Sequence, residues 1–426
     1  MVGAPNTEIR ARSVIAMTML FSGVAQGFGR FSYSLVIPSL IRTTLHSVVL
    51  AGTLGTANVS AYLLGSLVVT TFSRRFEATR LIRIGLVIST SGLLLFAASN
   101  TFTLFVIAMF AAGFGGALIW IPSPGIAARC VPADRKGWAM GLTGAGIGIA
   151  ITFAAQLARF VTRLPGLWSW KAMWLVEAGI ALVAVVIAFV HLPRVTQRYG
   201  QKSVGLKPQG GVRDPNLTEV VAYDTPGSLA SKVPGRTLLT SIYMIYGFVQ
   251  SIFLTFIVAT LERDHHYSPA WASVIFAIIG FVSIFGGIVT GRVSDPRRNR
   301  GTIMGFGFGA MALACFAVAD GSLVVVIGGS VLYGIGMSGV PNLVGAYLGD
   351  NLPPEGFAGA FALVTLFFGL AQAIGPQLGG LVEVAKGSFR AEYGAIGILC
   401  VLAMALSFVL DLRYRVSSKG VKPLPY

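Results

Sequence analysis

Uncharged apolar blocks about 20 residues long recur from one end of this chain to the other, and they constrain its fold more than any motif. A block of roughly 18 or more apolar residues is long enough to cross the ~30 Å hydrocarbon core of a bilayer as a helix. In hydrocarbon every backbone N–H and C=O must find a partner within the protein, and a helix satisfies them internally. Twelve spans are predicted, at about 14–41, 48–72, 81–98, 102–128, 137–161, 169–192, 237–261, 269–292, 302–319, 322–348, 358–383 and 392–411. Only 11% of the 426 residues are charged while 54% are hydrophobic, too little charge for a water-soluble protein of this size. The expected fold is an all-α membrane protein of twelve transmembrane helices. The first thirteen residues are polar and the first apolar block is too long for a signal-peptide core, so span 1 is expected to stay in the mature chain.

The formal net charge of +16 follows the loops. With the N-terminus placed in the cytoplasm, 24 of the 32 Lys and Arg fall on the inner side, seven on the outer side, and Arg30 lies within span 1. That bias is the positive-inside signal, and it predicts a multi-pass protein of the cytoplasmic membrane with both termini in the cytoplasm. The basic balance then reflects topology and contact with inner-leaflet lipid, and no nucleic-acid partner is expected. Cys130, Cys315 and Cys400 are widely spaced and odd in number, so they read as small packing residues rather than a disulfide framework or a metal site.

Residues 193–236 form the only long hydrophilic stretch and divide the chain into a six-span half at 14–192 and another at 237–411, with tails at 1–13 and 412–426. The halves resemble each other at one offset. Shifted by 221, Gly65 falls on Gly286, Gly113 and Gly115 on Gly334 and Gly336, Pro132 on Pro353, Asp134 on Glu355, Gly148 on Gly369 and Gln156 on Gln377. Matches in several helix pairs at one shift point to duplication. Parallel six-helix repeats are a transporter architecture with the substrate site at midplane between the halves.

After span 8 comes GRVSDPRRNRG, residues 291–301, which resembles the signature loop Gly-x-x-x-Asp-(Arg/Lys)-x-Gly-x-(Arg/Lys) of the major facilitator superfamily. Asp295, Arg297, Arg298 and Arg300 stand in place, while Pro296 takes the first basic position. The N-terminal twin, SRRFEATR at 73–80, holds Arg74 where the acid belongs. The resemblance implies the twelve-helix fold of that family, two pseudo-symmetric six-helix bundles, and a cytoplasmic latch carried here by the C-terminal copy, with Asp295 and Arg298 as its charged parts. GLAQAIGPQLGG, residues 369–380, is similar to the Gly-x-x-x-Gly-Pro-x-x-Gly-Gly signature of drug antiporters, but it lies in span 11, whereas that signature belongs to span 5. Span 5 carries GAGIGIAITFAAQ instead, without the proline. Small residues and proline allow close approach and bending, so both stretches read as flexing seams.

Two charges stand well inside spans, Arg30 and Glu177, and intramembrane charge usually marks a site or an ion pair. The other fifteen Asp and Glu read as loop, tail or helix-end residues. In the family fold span 6 packs outside its half, which makes Arg159 the expected partner of Glu177, in a structural or outer-gate pair; a proton-carrying role for Glu177 is the other reading. Arg30 then has no carboxylate to face, and arginine cannot shed its proton. Its planar fork suits a bidentate anion; the competing reading ties it to backbone carbonyls as a packing device.

Gln26 and Tyr33, four residues before and three after Arg30, are expected on the same face of span 1. Asn58, Tyr62, Trp120, Tyr246, Gln250, Tyr333, Asn342 and Gln372 lie at similar depth and complete the predicted lining, with Tyr243 also nearby. A mostly apolar pocket with a few placed polar groups is a small-molecule site. No enzyme is expected: His265 and His266 are adjacent rather than on one helical face, GFGRFS lacks the strand of a dinucleotide loop, and no nucleotide-binding motif is present. The chain thus reads as a secondary transporter of a small organic anion, a monocarboxylate or aromatic acid. It needs no cofactor, draws on the proton gradient, works by alternating access and is expected to be monomeric. The alternatives are a proton-driven exporter of hydrophobic or cationic drugs, which needs an acid in the cavity, and a non-transporting receptor or lipid-handling protein on the same fold.

Overall fold

The computed structural model describes residues 4–72, 76–131, 136–161, 163–192, 233–294, 299–352 and 354–414. The described residues form twelve helices long and apolar enough to span a membrane, and they contain no strand. Span 1 is a composite: α-helix over Ala4–Ser22, a π-helical stretch over Gly23–Phe31, α-helix again over Tyr33–Leu40, and a second π-helical stretch over Ile41–Leu45. Spans 2 and 3 are Val48–Phe72 and Ala78–Ala98. Span 4 divides into Phe102–Trp120 and Ser123–Arg129, because Pro122 has no N–H to continue the ladder. The Ser123 hydroxyl bridges this break by donating to the Ile119 carbonyl at 2.6 Å. Spans 5 to 8 are Lys136–Val161, Trp168–Val190, Arg236–Arg263 and Pro269–Ser294; spans 9 to 12 are Arg300–Asp320, Leu323–Asn351, Pro354–Lys386 and Arg390–Tyr414. The predicted linker lies outside the described residues except for 233–236, as do Asp295 and Arg298 of the predicted latch.

The 221-residue repeat is written into the packing. A Cβ on Gly65 would meet Ala117 and Phe114 in span 4; a Cβ on Gly286 would meet Ser338 and Ile335 in span 10, the residues 221 further on. Gly113 lies against the Asn58 carbonyl, and its mate Gly334 lies against the carbonyl of Ile279, the mate of Asn58. Two copies of one helix-packing arrangement therefore build the two halves. Glycine is needed here because the neighbouring backbones come within side-chain distance.

The halves meet along two glycine seams. Gly148 of span 5 abuts Gly280 of span 8, and Gly52 and Gly55 of span 2 receive Pro376 of span 11. Both are the close approaches that the small residues and the proline predict. At the bundle end opposite the termini, the halves are also tied by an Arg42–Glu262 ion pair at 3.1 Å and a hydrogen bond from Thr53 to the Gln377 side chain at 2.6 Å. Large apolar side chains such as Leu182, Val183 and Val186 of span 6 and Phe281 and Phe285 of span 8 point outward, as lipid-facing surfaces require.

Cys315 and Cys400 are fully buried, as packing residues should be. Cys130 follows the last turn of span 4, and burial pushes its thiol up to about 11 against the opposing pull of Arg129. The reactive species is the thiolate, so maleimide labelling of Cys130 near neutral pH should run on the order of 100-fold slower than that of a free cysteine and accelerate until the pH nears 11. Peptide-resolved mass spectrometry across a pH series checks this.

Candidate functional site

Arg30 stands in the π-helical stretch of span 1, which the sequence GVAQGFGRF permits because Gly23 and Gly27 let span 5 approach. Its Nη1 donates to the Gln26 side-chain oxygen at 3.3 Å, and the guanidinium lies over the Tyr62 ring at 5.1 Å and the Phe31 ring at 5.5 Å. Its Nη2 is buried with no hydrogen-bond partner, and no carboxylate among the described residues pairs with it.

The guanidinium borders a cavity of about 30 Å³ between the halves, lined by Arg30, Phe31, Tyr33, Ser34 and Val59 from one half and Gln250, Ser251, Leu254, Thr255 and Gln372 from the other. Six of these form three repeat pairs at the 221 offset: Arg30 with Ser251, Tyr33 with Leu254, Ser34 with Thr255. The cavity thus straddles the pseudo-twofold axis, with a charge on one side only. The Gln372 amide donates to the Gln250 side-chain oxygen at 2.9 Å, while Gln372 Oε1 and the Ser34 hydroxyl are buried and unpartnered. An uncompensated cation, a free hydroxyl and a free amide oxygen converge on a space without any acid in its lining.

Of the residues predicted from sequence, Arg30, Tyr33, Gln250 and Gln372 line this cavity, and Gln26 and Tyr62 hold the guanidinium. The others stand elsewhere. Tyr33 adds only its ring, since its hydroxyl donates to the Ala51 carbonyl at 2.9 Å. Asn58 ties three helices together, donating to the carbonyls of Gly29 at 2.9 Å and Met109 at 3.0 Å. Tyr246 is buried, donates to the Met337 carbonyl and stacks on Phe368, with Tyr243 beside it. Tyr333 is buried against Phe253, its hydroxyl unpartnered. Trp120 ends the first part of span 4 near Gly144, and Asn342 is exposed beside Gly287 of span 8. Ser34, Ser251 and Thr255 are absent from the predicted lining, although the repeat offset maps Ser34 and Arg30 directly onto Thr255 and Ser251.

The expected Glu177–Arg159 pair does not form. Glu177 turns inward within its own half and accepts a 2.9 Å hydrogen bond from Ser32, leaving Oε1 unpartnered. Arg159 donates instead to Gln156 at 3.2 Å, within its own helix. The expectation fails because span 6 packs against span 1 as well as span 5, and Ser32 offers a donor that no sequence pattern places there. Arg30 and Ser32 are two residues apart and face opposite sides, one the cavity and the other Glu177.

A sequence profile described as Major Facilitator Superfamily matches residues 19–234 and 239–425. The chain is 26% identical over 262 residues to "Monocarboxylate transporter 6" of Mus musculus, covering 58% of this chain and 54% of that one. It is 27% identical over 259 residues to "Monocarboxylate transporter 4" of Rattus norvegicus, covering 59% and 52%. The chain spans about half the length of these curated relatives. Its fold matches the crystal structure of a bacterial homologue of the human lysosomal transporter Spinster, solved inward-facing and unoccupied, with a TM-score of 0.75 at 14% identity over 99% of this chain and 100% of that one. The chain belongs to the major facilitator superfamily, a family of transporters and not of enzymes, and among its members it resembles the monocarboxylate transporters.

Proposed function

We propose that this secondary transporter carries a small organic anion, a monocarboxylate or aromatic acid, with Arg30 as its counter-charge. The observation that carries the reading is the buried, unpartnered Nη2 of Arg30 at a cavity without any acid in its lining. A carboxylate placed there would accept from the Arg30 fork and from Ser34, turning two uncompensated donors into charge-assisted hydrogen bonds. At about 30 Å³ the cavity is far smaller than the ~300–1,000 Å³ of ligand pockets, so a substrate would have to widen it on entry. Export of cationic drugs would need an acid in this lining, and there is none.

With both termini in the cytoplasm, as the Lys and Arg distribution argues, the tied end of the bundle faces outward. Opening the Arg42–Glu262 and span 2–span 11 contacts while closing the opposite end would complete alternating access. Accumulating an anion against an inside-negative membrane requires a co-transported cation, and a proton is the proposed one. Uptake of a carboxylate panel into proteoliposomes, with and without an inward proton gradient, tests the reading. Gradient-stimulated uptake of carboxylates but not of matched alcohols or amines is expected, and preference for an amine overturns it. Bound at 100 times its Kd, a substrate should add about 2.7 kcal/mol to stability, seen as a higher melting temperature.

A further inference from the structure

Glu392 reads in the sequence as a helix-end acid, yet it is 2% exposed, and both carboxylate oxygens lack any hydrogen-bond partner. It stands in the first turn of span 12 at the end of the bundle opposite the termini. The groups around it are all engaged elsewhere. Glu383 of span 11 is held by Arg263 at 2.8 Å, and Asp264, after span 7, accepts the Ser388 hydroxyl at 2.8 Å and the Phe389 amide at 2.7 Å. Arg390, in the same turn as Glu392, reaches the His265 ring at 3.2 Å, and Lys386 of span 11 is exposed. Span 9 brings Asp320, which caps the Ser322 amide, and Tyr393 donates to the Phe253 carbonyl. Among the described residues no cation is left for Glu392, and the charges that act on it most, Glu383 and Asp264, are themselves acids. Burying a carboxylate without a donor costs far more than burying the neutral acid.

Its position places the carboxyl group at the closed end. Glu392 Oε1 occupies the space a side chain at Gly379 would fill. Gly379 is flanked by two residues of span 11 that touch the other half, Gln377 on Thr53 and Gly380 against Val48. Movement of span 11 away from span 2 therefore removes the cover from span 11 one residue from the glycine that receives Glu392. We propose that Glu392 is a proton-binding site whose proton is held while this end of the bundle is closed and released to water when it opens. Such a site is a pH-sensitive switch on the closure of this end and carries no proton across the membrane itself; its role in transport rests on the transporter reading above.

Two substrate-free measurements test it. Infrared spectra of the reconstituted protein should show a protonated-carboxyl band at neutral pH that Glu392→Gln loses in part and Glu177→Gln leaves in place as the separate Glu392 contribution. Alkylation of the thiol introduced by Val48→Cys, read by peptide-resolved mass spectrometry and corrected for thiolate fraction, should rise several-fold from neutral to alkaline pH. In the Glu392→Gln background it should stay low throughout. A band unaffected by Glu392→Gln, or the same pH dependence in both backgrounds, overturns the proposal. Pyruvate uptake is scored separately: if wild type shows no gradient-driven accumulation, the proton-coupled reading fails, whereas if Glu392→Gln accumulates pyruvate as wild type does, only the assignment to Glu392 fails.

Discussion

Arg30→Gln should abolish anion transport while leaving the folded protein at least as stable as wild type in anion-free buffer. Truncating one member of a buried, hydrogen-bonded charge pair costs about 2–5 kcal/mol, so carboxylate affinity should fall by roughly 30-fold to several thousandfold. Without anion, the wild type holds a guanidinium whose Nη2 has no acceptor, and glutamine removes that cost. Arg30→Lys should fall between them, because an ammonium supplies the charge without the bidentate fork. A merely structural Arg30 predicts the opposite pattern, with a lower melting temperature for the glutamine variant and transport reduced only in proportion to folded protein. Melting curves with and without carboxylate, run beside proteoliposome uptake, separate the two.

The asymmetry of the cavity gives this prediction its meaning. Duplication placed equivalent positions of both halves around one space, and at those positions one half carries Arg30 and the other Ser251. A cation opposite a hydroxyl leaves a charge that an anion can answer. An acid in place of Ser251 would have closed the site with an internal ion pair.

Much of this is legible in the amino-acid sequence. The twelve spans come from block length, and the seams come from the glycine-rich stretch of span 5 and the glycine and proline stretch of span 11. Arg30 is identifiable as unpaired by counting acids. The side-chain directions around it are not, and the backbone explains why. α-Helical spacing places Tyr33 beside Arg30, but the π-helical stretch over Gly23–Phe31 closes with Ser32 N–H bonded to Gly27 O, five residues back. Such a stretch holds more residues per turn and rotates the remainder of the span about its axis. The Tyr33 hydroxyl consequently reaches span 2. Glu392 escapes sequence reasoning for a different cause: nearness to a helix end says nothing about burial when a glycine on a neighbouring span lets the side chain in. Single serines and threonines such as Ser34, Ser251 and Thr255 carry no signal of their own, although comparison across the repeat picks them out.

The repeat also makes a graded prediction about folding. Gly113→Ala should be severely destabilising, because the new Cβ would overlap the Asn58 carbonyl, part of a backbone locked in place by the hydrogen bonds of Asn58 to Gly29 and Met109. Overpacking typically costs ~1–3 kcal/mol, and a fixed backbone neighbour puts this site at the upper end or beyond. Its mate Gly334→Ala should cost less. There the Cβ would meet Val282 Cβ at 2.8 Å and the Ile279 carbonyl at 2.9 Å, and Ile279 has no side-chain amide pinning its helix to two others. Gly179→Ala and Gly328→Ala, with nothing within 4 Å of the added carbon, should be neutral or slightly stabilising through the ~1 kcal/mol by which alanine exceeds glycine in helix propensity. Melting temperatures of the four variants in one detergent should rank 113 below 334 and both below 179 and 328. Equal losses at 113 and 334 would mean that the Asn58 tie between spans 1, 2 and 4 adds no rigidity to the half that carries Arg30.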